Sequence, residues 1–149
     1  ESEKDKIVSN IYTPLDMEKW RVSLVEKKES AVHVVYGLKS ENYKTGKWTQ
    51  ILDLTCTYTN KQDRENFNQI NEWMAANYRR NNADMDTVYK TDVSRLYEVN
   101  IHEQRTQVIG YIFPASKGFC IAQFNYKKLP AKDKETWMDS IKKINVRNF

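Results

Sequence analysis

Residues 48–58, WTQILDLTCTY, decide the fold. Trp48, Leu52, Leu54, Cys56 and Tyr58 fall on one face, and Thr49, Ile51, Asp53, Thr55 and Thr57 fall on the other, the two-residue period of a β-strand. Immediately beyond, the period changes to that of a helix. Thr59 and Asn60 offer capping oxygens, with Gln62 three residues after Thr59 as capping-box partner. Phe67, Ile70, Met74 and Tyr78 then recur at helical spacing beside Trp73. Asp63 and Glu65 in the first turn and Arg79 and Arg80 in the last complement the helix dipole. Asn81-Asn82 tolerates the left-handed backbone that ends a helix.

Upstream, residues 19–28 (KWRVSLVEKK) alternate with Trp20, Val22 and Leu24 on one side, and residues 31–38 (AVHVVYGL) are rich in β-branched side chains. A turn at Glu29-Ser30 joins them into a hairpin. Residues 39–47 (KSENYKTGK) are polar with a late glycine, which reads as a surface loop. Downstream of the helix, strands are expected over 87–91, 95–101, 107–113 (QVIGYIF) and 119–126 (FCIAQFNY), the last two joined by the five residues 114–118. Pro130 opens a final helix on which Trp137, Met138, Ile141 and Ile144 share a face. The order is three strands, a helix, four strands, a helix: an α+β domain with a largely antiparallel sheet and two amphipathic helices packed on it.

The 149 residues are the size of one domain, and 40% hydrophobic with 12% aromatic content is enough to bury a core. Residues 19–149 are read as that single domain, with 1–18 as an N-terminal extension. No apolar run approaches the roughly 18 to 20 residues of a membrane span. Twenty-four basic against 20 acidic residues give a net charge of +4, mixed along the chain, which favours solubility and points only weakly to anionic partners. Residues 1–6 carry no signal-peptide apolar region, so a leader would have been removed or lie outside the chain.

Cys56 and Cys120 sit on the apolar faces of two strong strands, half the chain apart. His33 or His102, the only histidines, could meet either cysteine across a sheet, but a reactive thiol needs partial exposure and an electropositive setting, whereas both cysteines follow the apolar parity. A disulfide closing so long a loop would contribute ~4 kcal/mol in the chain-entropy model, and the alternative is two small buried thiols; the expectation here is free thiols. His102-Glu103-Gln104-Arg105-Thr106 begins like a zinc-protease motif but lacks the second histidine. Asp84 and Asp86 lack a third ligand and read as a solvated turn. With only 4 glycines there is no phosphate loop or dinucleotide fingerprint, so no cofactor or catalytic residue is expected.

Two segments suggest binding. Lys117-Gly118-Phe119, followed by Phe124, partly matches an RNA-recognition strand, although Cys120, Ile121 and Ala122 depart from the pattern and no matching first strand exists. An ordinary buried strand is the better reading, and nucleic acid is an alternative partner only. Lys39, Tyr43, Lys44, Lys47 and Trp48 form a loop of lysines and aromatics suited to an anionic protein surface, with Tyr43 and Trp48 as anchors.

The element order, Trp48-Thr49 opening the third strand, and a terminal helix carrying Trp137 together resemble the Mog1/PsbP-like α/β/α sandwich family across residues 19–146. The resemblance implies a non-catalytic adaptor or assembly module and carries over no functional residues. The resulting expectation is a protein-binding module from a bacterial secreted, periplasmic or lipid-anchored protein, with a cytoplasmic setting as the alternative. Single-stranded nucleic-acid binding around Phe119 and Phe124, or small-ligand binding in a sheet-helix cleft, are the alternative functions.

Overall fold

The alternation in residues 50–58 is realised in a computed structural model that describes residues 2–147. Three helices, α1 (Glu3–Ser9), α2 (Asp63–Arg80) and α3 (Ala131–Ile141), accompany nine strands: β1 (Ile11–Tyr12), β2 (Trp20–Lys27), β3 (Ala31–Leu38), β4 (Gln50–Tyr58), β5 (Asp86–Lys90), β6 (Arg95–Ile101), β7 (Thr106–Ala115), β8 (Gly118–Tyr126) and β9 (Asn145–Val146). Seven form one antiparallel sheet in the order β2-β3-β4-β8-β7-β6-β5, while β1 and β9 pair separately. The sheet is thus two meanders joined along β4 and β8, distant in sequence and adjacent at its centre.

The even-numbered face of β4 and β8 carries the larger core. Leu52, Leu54, Phe124 and Ala122 are excluded from solvent there with Trp20, Val34 and Ile109, under Ile141 and Trp137 of α3. Burial of each such aliphatic side chain contributes about 1.5–3 kcal/mol. Trp137 stacks on Phe124 with ring centroids 3.7 Å apart and meets Trp20 edge-on at 5.8 Å. The residues before 19, expected to be an extension, contribute α1, β1 and the side chains of Ile7, Ile11 and Leu15 to this core. On the opposite face α2 lies over β7 and β8, burying Phe67 and Met74 against Tyr97, Val99, Val108 and Ile112.

Cys56 and Cys120 face each other directly in the β4–β8 register and are joined by a disulfide. Their Cα atoms are 4.1 Å apart, inside the ~7 Å beyond which bridging fails. The expected free thiols are therefore corrected: the pairing of two remote strands, invisible in either one, places both sulfurs in one spot. Two other local expectations change. Thr59 does not cap α2: its N–H is still held in the sheet by the Lys117 carbonyl at 2.9 Å, its hydroxyl oxygen accepts from the Lys61 N–H at 3.1 Å ahead of the helix, and the helix begins after Gln62 without a side-chain cap. The β7–β8 connection shortens to Ser116-Lys117, since Ala115 already pairs with Gly118.

Candidate functional site

The β3–β4 loop is built by short-range hydrogen bonds. The side-chain oxygen of Asn42 accepts from the Lys44 N–H at 2.9 Å and starts a turn of 3-10 helix over Tyr43–Thr45. Gly46 closes it at φ 73°, a left-handed conformation that glycine adopts without a Cβ penalty. The Glu41 carboxylate accepts from the Thr49 N–H at 2.9 Å and its hydroxyl at 2.7 Å, pinning the base of the loop to the start of β4.

A second segment completes the surface. Where β8 ends, the Lys127 N–H donates to the Thr49 carbonyl at 2.8 Å, and its ammonium sits 4.2 Å from the Trp48 ring centroid. The structure thus joins the loop of Tyr43, Lys44, Lys47 and Trp48 to Lys127, which sequence reasoning missed; the only signal was its position just beyond a strand that pairs with β4, and Lys128 follows it in the chain. Lys39 stands at the β3 end of the same loop, its N–H on the Lys19 carbonyl. Among the described residues Lys27 and Lys134 form the lysine ion pairs, so none of these five lysines has a carboxylate partner. Beneath the loop is a cleft of about 290 Å³ lined by Arg21, Ser23, Asn42, Tyr43 and Lys44. Such a corner offers cations, N–H donors and two aromatic rings.

The other notable cluster lies on the sheet face that α2 covers only in part. The side-chain nitrogens of His33 on β3 face Glu26 of β2 at 3.2 Å and Asp53 of β4 at 2.9 Å. The hydrogen bond to Asp53 and the charges of both carboxylates outweigh burial and raise the imidazole pKa to about 9. An imidazolium donating to two carboxylates is a structural cation at neutral pH, with no lone pair left to act as a base. Beside it, between α2 and the sheet, runs a groove of about 320 Å³ lined by Thr55, Trp73, Met74, Asn77, Tyr78, Ile121 and Gln123. Gln123 Nε2 donates to the hydroxyls of Tyr78 at 2.7 Å and Tyr97 at 3.1 Å. Burial pushes both phenols above their ordinary pKa, Tyr97 the further.

Several sequence candidates are separated by the fold. Phe119 and Phe124 lie on opposite faces of β8, and Phe124 is 0% exposed beneath Trp137, so the two do not form a base-stacking surface. That corrects the nucleic-acid alternative at these residues: they are five positions apart, an odd number, and in a strand odd spacing reverses the face. His33 points away from the face that holds the disulfide. His102 occupies an exposed 3-10 turn, His102–Gln104, and among the described residues no cluster of three potential metal ligands forms. No helix of the described residues is long and apolar enough to cross a membrane. Compared with known proteins, the chain matches no family model, no curated protein and no solved structure.

Proposed function

We propose that this protein is a non-catalytic interaction or assembly module that works outside the cytoplasm and grips an acidic protein surface with its lysine-aromatic corner. The observation carrying this reading is the Lys127 ammonium seated over the Trp48 ring and on the Gly46 carbonyl, which brings the end of β8 to the loop of Tyr43, Lys44 and Lys47, with no carboxylate partner for these lysines among the described residues. Here one lysine is held at an aromatic ring, the residue type that anchors interfaces. Complementary charge would steer the partner and set its orientation. The buried Cys56–Cys120 disulfide supports an oxidising compartment. The resemblance to Mog1/PsbP-like sandwiches, whose members are mostly binding or assembly modules, agrees with the same reading.

A photo-crosslinking amino acid placed at Tyr43, and separately at Glu29 in the β2–β3 turn at the other end of the sheet, tests this in the native host. The expected result is a discrete protein adduct from position 43, missing from position 29 and lost in the Lys44→Glu/Lys47→Glu/Lys127→Glu variant. Adducts to RNA, or equal adducts at both positions, would overturn it.

A further inference from the structure

The groove between α2 and the sheet is independent of the lysine corner and has a distinct chemical character. Tyr97 is fully buried, and its oxygen accepts from Gln123 at 3.1 Å, which ties Gln123 to the wall of the groove. The Tyr78 oxygen accepts from Gln123 at 2.7 Å, and its hydroxyl at the groove can both donate and accept. Gln123, with its amide nitrogen committed to the two phenols, presents its carbonyl oxygen as an acceptor. Thr55 adds a hydroxyl that donates and accepts, and Asn77 adds an amide whose oxygen already accepts from Arg80 at 3.4 Å and whose nitrogen can donate.

The apolar part of the lining is equally defined. Met74 and Ile121 form the floor, and Trp73 forms a wall with 58% of its surface exposed, the most open of the large apolar side chains among the described residues. No lysine or arginine lines the groove. The neighbouring Glu26–His33–Asp53 cluster carries one net negative charge when His33 is protonated, which disfavours phosphates and carboxylates. What complements an exposed indole beside alternating donors and acceptors is a neutral ring with an apolar face and a rim of hydroxyls, each of which both donates and accepts. The volume, about 320 Å³, lies at the small end of the range for ligand sites.

We propose that this groove binds a neutral saccharide unit, its C–H face against Trp73 and its hydroxyls bonded to Tyr78, Gln123, Asn77 and Thr55. The test is titration of the ¹⁵N-labelled chain with cellobiose, maltose and the N-acetylglucosamine disaccharide, followed at the Trp73 indole N–H and the side-chain amides of Asn77 and Gln123. At least one sugar is expected to give saturable shifts at these groups. Trp73→Ala, a surface change that leaves the core intact, should weaken that binding about tenfold, and Thr55→Val should weaken it less. The Lys44→Glu/Lys127→Glu variant should bind the sugar as the parent does, which separates this site from the corner. Absence of saturable shifts with all three sugars, shifts that persist unchanged in Trp73→Ala, or saturation by adenosine or trialanine instead would overturn the proposal.

Discussion

His33 shows how one side chain can be identified from sequence while its role stays hidden. Its position on β3 is readable from the alternation of residues 31–38, yet its two carboxylates come from β2 and β4 and meet it only through register, Glu26 opposite it on one side and Thr55, next but one to Asp53, on the other. The folded state holds its proton to about pH 9, whereas the unfolded chain releases it near 6.5. Its stabilising contribution is complete below about pH 6.5 and is lost as pH rises through 9. With 27% of the side chain exposed, solvent screening limits it to about 1–2 kcal/mol. His33→Gln should therefore lower the urea midpoint at pH 6, have little effect at pH 10, and flatten the profile between. Gly110 makes a second prediction at this scale. The ring of Tyr97, its cross-strand neighbour, lies where a Cβ at Gly110 would stand. Gly110→Ala should cost about 1–3 kcal/mol through overpacking, read as a lower denaturant midpoint and a displaced Tyr97 ring resonance.

Among the elements, the seven main strands and both long helices were legible because each carries its period in its own residues. Element ends were less so. Thr59 has the chemistry of a cap, but its backbone is still paired to the β7–β8 turn and its hydroxyl oxygen takes the Lys61 N–H, so α2 starts three residues later with Gln62 as an uncommitted N-cap. Gln62→Asp should add about 0.5–1.5 kcal/mol by accepting from the free N–H groups of the first turn, visible as a higher melting temperature. For α3 the decisive residue is Trp137, flat against Phe124 and edge-on to Trp20. Trp137→Ala should cost about 2–4 kcal/mol, below the full aromatic-to-alanine value because the indole is half-buried, with loss of near-ultraviolet circular dichroism. The lysine corner follows the same logic: the Lys39–Trp48 loop was recognisable from its composition, whereas Lys127 joined it through strand pairing.

For the whole molecule, the joint between the two meanders is the critical feature. It consists of the β4–β8 ladder and the disulfide at its core, closing a loop of 64 residues. Cys56→Ala/Cys120→Ala should lose about 4 kcal/mol in the chain-entropy model, measured by urea unfolding. Alkylation of the unfolded protein without reductant should label neither cysteine. Both edges of the sheet are interrupted, β2 between Val22 and Leu24 and β5 between Thr87 and Tyr89, irregularities that discourage edge-to-edge aggregation. Periodicity and capping chemistry are properties of consecutive residues, so strands, helices, the α+β class and the lysine loop could be read along the chain. The disulfide, the protonated His33, the groove and the separation of Phe119 from Phe124 depend on which remote strands become neighbours, in what register, and on which face each side chain emerges. Those are outcomes of packing two meanders and three helices together, and no local stretch contains them.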